Sequence, residues 1–209
     1  MSMILRTLAP AAPLLKPLGF VLVWFLLLLA AACSSSGSAA TEWTFGDSLA
    51  VRAKQTKFVQ EVRYSICYPI GDPKCTPKHY LIKPSQQDRV ILAAQLEVFN
   101  RQANVVFLSV HKHAVSLVDQ NFFEYQPLDP FTDRTDVDSA GPAENTLLPL
   151  LWADGSELAP EITMPAKCGQ NNENCQLVGW LFFEVPKTVK PTQIVWQAAD
   201  TIYMDFGKG

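Results

Sequence analysis

Along most of the chain beyond residue 60, apolar side chains recur at every second position, and that period dictates strands rather than helices. Residues 62–69 place Val62, Tyr64, Ile66 and Tyr68 on one face, with Arg63, Ser65 and Cys67 on the other. Residues 89–100 line up Val90, Leu92, Ala94, Leu96 and Val98. Residues 104–119 read as one long strand, with Val106, Leu108 and Val110 opposed to Phe107, Ser109, His111 and His113. The segment 177–186 is apolar on both faces and stops at Pro186, which suits a central strand ended by a residue without a backbone donor. Residues 193–200 and 201–206 supply one or two closing strands. Turn signals fall between these segments, at Gly71-Asp72-Pro73, Asp154-Gly155 and Asn171-Asn172-Glu173-Asn174. No stretch sustains a helical period. The expectation is an all-β antiparallel sandwich or barrel.

The N-terminal end follows different rules. Arg6 and Lys16 are its only charged residues before Cys33, and an uncharged run rich in Leu, Val and Phe follows Lys16. A basic start, an apolar stretch and a small-residue exit make residues 1–32 a secretory signal. From Pro17 to Ala32 the run is shorter than the roughly 20 residues a membrane-spanning helix needs. The exit Leu29-Ala30-Ala31-Ala32-Cys33, followed by Ser34-Ser35-Ser36-Gly37-Ser38, resembles the lipobox of bacterial lipoproteins. In such boxes the Cys is acylated and becomes the new N-terminus, which implies lipidation of Cys33. Ordinary cleavage at an Ala-x-Ala site and retention as an uncleaved anchor are the competing fates. Residues 33–41 are small, polar and aperiodic, as a flexible tether would be. Residues 42–209 then form one domain with room for a proper core.

Cysteine parity points the same way. The chain has five cysteines: Cys33, Cys67, Cys75, Cys168 and Cys175. Giving Cys33 to lipid leaves four, an even set for disulfides in an oxidising compartment. Three pairings are open, and the local one, Cys67–Cys75 with Cys168–Cys175, closes two short turn-rich segments. Zinc ligands would prefer two to four residues between neighbours, closer than these. Removal of residues 1–32 takes away Arg6 and Lys16 and no acid, leaving 15 basic against 20 acidic residues, a net charge of −5. That balance excludes a general nucleic-acid binder and leaves the N-terminal lipid as the means of membrane attachment.

The order of segments resembles a known group. A strand ending in Val98-Phe99-Asn100 leads to one containing Val105–Val110, then to Leu117-Val118-Asp119, and much later to Gly179-Trp180-Leu181-Phe182-Phe183-Glu184-Val185-Pro186. Over roughly residues 44–206 this is similar to a family of uncharacterised bacterial lipoprotein domains with an immunoglobulin-like β-sandwich, which in turn resembles secreted immunoprotective antigens. The resemblance implies an extracytoplasmic immunoglobulin-like domain. It supplies no catalytic or binding residues. Cys-bearing loops at 67–75 and 168–175 and an acidic loop at 127–149 are inserted into the pattern.

No enzymatic signature is present: no Gly-x-Ser-x-Gly, no His-Glu-x-x-His, no phosphate-cradling glycine loop. A non-enzymatic module without cofactor is therefore expected, anchored on the extracytoplasmic face of a bacterial membrane and binding a protein or envelope partner. Its binding loops would be 68–79, 120–149 and 166–176, at the ends of a rigid scaffold. The alternative is extracytoplasmic metal binding. On a strand, His111 and His113 would share a face about 7 Å apart, and Asp129, Asp133, Asp136, Asp138 and Glu144 would offer oxygens to calcium. Trp43, Trp152, Trp180 and Trp196 invite a ligand-binding reading, but Trp180 and Trp196 lie in strong strand patterns, where core packing is the default.

Overall fold

Ten residues of β11 (Leu177–Pro186) run antiparallel to β5 (Arg89–Asn100), from Leu177 opposite Val98 to Pro186 opposite Arg89. On the other side of β5 lies β2 (Leu49–Val59), and the two-residue β1 (Thr44–Phe45) closes the sheet in the order β1-β2-β5-β11. These strands come from a computed structural model that describes residues 42–67, 74–108, 110–142, 146–150, 162–164 and 176–206. The fold is all-β and antiparallel, as the period-two pattern requires.

One face of this central sheet is buried along its length, and the other is covered in part. On the first, Val90, Leu92, Ala94, Leu96, Val98, Leu181, Phe183 and Val185 pack against a second four-stranded sheet. That sheet has the order β13-β12-β7-β8, from Ile202–Asp205, Pro191–Trp196, Val115–Asp119 and Glu124–Tyr125. Its Val115, Leu117, Ile194, Trp196, Ile202 and Met204 complete the core. On the opposite face, Ile91, Ala93, Trp180 and Phe182 meet a three-stranded sheet, β3 (Val62–Ile66), β4 (Lys78–Ile82) and β9 (Thr135–Val137), through Val62, Tyr64, Ile66, Tyr80 and Ile82. Two covering layers explain why residues 177–186 are apolar on both faces. Each fully buried large side chain, such as Phe183 or Leu92, contributes about 1.5–3 kcal/mol. A small pair, β6 (Val106–Leu108) with β10 (Ile162–Met164), adds Val106, Leu108 and Met164 to the first core.

The outer edge of β11 is a long apolar edge strand, the kind that invites pairing with another chain. It is capped internally. Leu128 N–H donates to Phe182 C=O at 2.7 Å, Leu150 N–H to Trp180 C=O at 2.9 Å, and Trp180 N–H to Leu148 C=O at 3.0 Å. Gly179 permits this approach, because a Cβ there would lie 2.6 Å from Leu150 Cα.

One sequence expectation needs correction. Residues 104–119 do not form one strand: β6 ends at Leu108, a 3-10 turn spans Lys112–Ala114, and β7 starts at Val115. Core residues occupy even positions at 106, 108 and 110, then odd positions at 115 and 117. A one-residue change of phase cannot occur within a regular strand. The chain therefore turns, Ala114 N–H bonding His111 C=O at 2.8 Å, and moves from the β10 pairing to the β12 pairing. The strands β2 and β4 are not among those that the sequence pattern predicts. In β2 a bulge between Ala53 and Gln55 shifts the buried positions from Leu49, Val51 and Ala53 to Thr56.

A disulfide joins Cys67 to Cys75 with Cα atoms 5.7 Å apart, tying the end of β3 to the approach to β4. Residues 1–32, expected to be a signal segment, Cys33, the expected tether 33–41, Cys168 and Cys175 lie outside the described residues. Among the described residues no helix is long and apolar enough to cross a membrane.

Candidate functional site: the β7–β8 hairpin end

At the end of β7, Asp119 organises a tight connection to β8. Its Oδ1 accepts from Asn121 N–H at 2.7 Å and Phe123 N–H at 3.0 Å, and its Oδ2 from the Tyr125 hydroxyl at 3.1 Å. Backbone bonds Phe122 N–H to Asp119 C=O (3.0 Å) and Asp119 N–H to Phe123 C=O (3.1 Å) complete the turn. An Asp capping the amides that follow it is the Asx-turn chemistry that lets a chain reverse in few residues. Partial burial pushes the Asp119 carboxyl up, but the Phe123 and Asn121 amides and the Tyr125 hydroxyl outweigh it and hold it below the usual range. Burial and the adjoining carboxylate raise the Tyr125 phenol.

The result is an unusual tip. Phe122 has φ of 64°, in the left-handed region, and is 87% exposed, while Phe123 beside it is 64% exposed. Asn, Asp or Gly normally occupy such a position, and a bulky residue there is disfavoured by about 1 kcal/mol. Gln120 N–H bonds Lys190 C=O at 3.0 Å, docking the hairpin on the β11–β12 turn. Between these two connections lies a cleft of about 350 Å³, walled by Asp119, Phe123, Tyr125, Pro186, Val189 and Lys190. It opens where the ends of β7 and β11, one from each sheet, come together.

Among the described residues of the loops expected to bind, those at the start of 120–149 line this site. Further along the same loop, the acids fold the chain. Buried Asp129 accepts from Phe131 N–H at 2.7 Å, and Asp133 accepts from Asp129 N–H at 2.8 Å. Arg134 stacks on the Tyr80 ring at 3.6 Å, and the Tyr64 hydroxyl donates to Pro130 C=O. Asp136 and Asp138 are exposed beside Lys78 and His79 in an open cleft of about 470 Å³, where His79 Nδ1 lies 2.7 Å from Ser65 Oγ. Glu144 lies outside the described residues.

The strand that would have set His111 and His113 side by side is replaced by the turn just described. Both histidines are exposed, one before that turn and one within it. Among the described residues, no three His, Cys, Asp or Glu side chains gather in a way that could hold a metal. Trp196 is fully buried with Nε1–H bonded to Ala198 C=O, and Trp180 is 8% exposed in the second core. Trp152 lies outside the described residues. Sequence reasoning passed over Phe122 and Phe123. The available signal was an aromatic pair placed directly after Asp119-Gln120-Asn121, a turn-forming run.

No protein family, curated protein or solved structure matches the chain. Its class is therefore defined by its own geometry: a disulfide-bearing antiparallel β protein with an aromatic hairpin tip at one end of its sandwich. A disulfide in this chain is compatible with an extracytoplasmic location.

Proposed function

We propose that the protein is an exported lipoprotein, anchored through Cys33, whose immunoglobulin-like sandwich acts by binding a protein partner at the β7–β8 end. The observation that carries the binding assignment is Phe122, a bulky apolar side chain kept both exposed and in left-handed backbone. Neither feature aids folding, and strain of this kind concentrates where function requires it. Aromatic anchors beside a concave wall are the usual centre of a protein interface, and the cleft next to Phe123 supplies that wall. The odd cysteine count, the small-residue exit and the polar tether support anchoring on the extracytoplasmic face. The two facing sheets and the segment order support the immunoglobulin-like assignment.

Photocrosslinking tests the binding. With p-benzoylphenylalanine at position 122, a discrete protein adduct forms in the native envelope. Excess wild-type protein competes it away and excess Phe122→Asn protein does not. No adduct at 122, or the same adduct from exposed Thr135, refutes the site. Anchoring is tested separately, by mass spectrometry of the mature N-terminus. An unmodified Cys33 or an N-terminus at Thr41 refutes it.

A further inference from the structure

The three-stranded sheet covers only the part of the central sheet around Ile91, Ala93, Trp180 and Phe182. On the same face, further along the strands, stand Gln95 and Glu97 of β5 with their neighbours Gln55 and Arg52 of β2. This part of the face is cationic. Arg52 lies 4.4 Å above the Trp43 ring, Lys57 5.4 Å from the Trp180 ring and Arg101 5.2 Å from the Phe45 ring. Arg52 and Lys54 both grip Glu97, at 2.5 Å and 2.8 Å, the bulge in β2 allowing two residues to meet one opposite. Glu97 is 3% exposed, so its charge is spent inward, whereas Lys54 and Gln55 are exposed. Arg101 Nη1 is further fixed by Gly46 C=O at 3.0 Å, and the Gln55 amide donates to Gln95 at 2.9 Å.

We infer that this face of the central sheet is a binding site for an anionic polysaccharide. Four cations, Arg52, Lys54, Lys57 and Arg101, stand there with Glu97 between the first two and the exposed acids Glu42 and Asp47 at the β1 end, in a chain whose overall charge is −3. Lys57 lies opposite Ala93 and Arg101 just beyond Asn100, so the row extends over about 25 Å of strand. An extended row of charge matches an extended polyanion. Each cation is pinned by a ring, a carboxylate or a carbonyl, which lowers the entropy lost on binding. Gln55 and Gln95 add donors and acceptors suited to hydroxyl groups. Single-stranded nucleic acid would require free ring faces for stacking, and here Arg52 covers Trp43 while the edge of Phe99 meets it at 4.6 Å between centroids. A bilayer surface would require a cluster of projecting apolar anchors, whereas the exposed apolar side chains of this face, Phe45 (47%) on β1 and Val178 (40%) on β11, stand on opposite edge strands with β2 and β5 between them.

Affinity electrophoresis of the folded protein through gels containing alginate tests the assignment, with neutral dextran as control. The Lys54→Gln, Lys57→Gln, Arg101→Gln variant leaves the Arg52–Glu97 pair in place. Its affinity for alginate falls roughly 10- to 100-fold, and the dependence of affinity on salt flattens. Lys187→Gln with Lys190→Gln, at the hairpin end, leaves alginate binding unchanged. Equal retardation of the triple variant, or of the wild type by dextran, overturns the inference. So does tighter binding to polyglutamate or to phosphatidylglycerol vesicles than to alginate, which assigns the face to an acidic protein or a lipid surface.

Discussion

Replacing Phe122 by Asn should make the protein more stable while removing its partner. At φ of 64° the Phe122 Cβ crowds the following carbonyl, a conformation about 1 kcal/mol above right-handed or extended backbone for an ordinary residue. Asn tolerates the same φ because its short side chain bonds locally. Against that gain stands the loss of Phe122 packing. With the side chain 87% exposed, the apolar burial forfeited is worth less than about 0.5 kcal/mol. The difference is a stabilisation of about 0.5–1 kcal/mol, or a Tm rise of about 1–4 °C for a domain of this size.

Urea unfolding followed by tryptophan fluorescence reads the change, since Trp196 is fully buried in the folded state. The midpoint should rise with an unaltered slope. Phe122→Gly should gain less, because glycine loosens the unfolded chain. Phe123→Ser, in unstrained backbone and 64% exposed, should stay within about 0.5 kcal/mol of the wild type. A Phe122→Asn protein less stable than the wild type would mean that the ring packs against the fold, and the case for a binding tip would go with it. Opposite signs in stability and binding are what a strained functional position produces.

Three further outcomes follow from the fold. Gly179→Ala would drive a Cβ to 2.6 Å from Leu150 Cα and lift the cap from β11, at a cost of about 2–3 kcal/mol. A urea midpoint unchanged within error would show that the cap is not needed. Burial raises the Glu97 carboxyl, but Lys54 and Arg52 outweigh it and hold it below the usual range, as the hairpin amides hold Asp119. Carboxyls lowered by folding stabilise above their unfolded value of about 4 and lose that contribution as pH falls through the folded value. Unfolding free energy should be level from neutral pH to about 5 and decline below about 4, more gently in Asp119→Asn, and a rise on acidification would contradict it. Replacing both Cys67 and Cys75 by Ser should cost about 2.5 kcal/mol for a loop with a separation of 8 residues. Non-reducing peptide mapping that linked Cys67 to Cys168 or Cys175 would contradict the pairing.

Strands that keep one phase were legible. β5 and β11 have the bounds their patterns suggest, because each stays in one register against its neighbour for ten residues or more. Where the phase slips, the pattern misleads. The bulge at Lys54 hid β2, and the turn at His111 joined two strands from different sheets into one apparent strand. The cationic face was invisible for another reason. Arg52 and Glu97 are 45 residues apart, and only the pairing of β2 with β5 sets them opposite each other. Composition can report a net charge but not its segregation onto one side of a sheet.

The aromatic tip shows how far local sequence can mislead about a site. The chain contains Phe-Phe-Glu twice, at 122–124 and at 182–184. Phe182 and Phe183 are at most 1% exposed, one in each core, on opposite faces of β11. Phe122 and Phe123 are 87% and 64% exposed. Identical tripeptides thus meet opposite fates, and their flanks decide which. Leu181 and Val185 extend the apolar strand on either side of the buried copy, whose faces find a sheet on each side. Asp119, Gln120 and Asn121 precede the exposed copy, and the Asp119 carboxylate captures the amides of Asn121 and Phe123 before a strand can continue. Hydrophobicity alone would bury both pairs. It is the Asx turn at Asp119 that lifts the second pair out of the core, and a chain under selection for stability alone has Asn or Gly available at 122. The aromatic ring there is consistent with a demand from outside the fold, which the Phe122→Asn pair of measurements is built to detect.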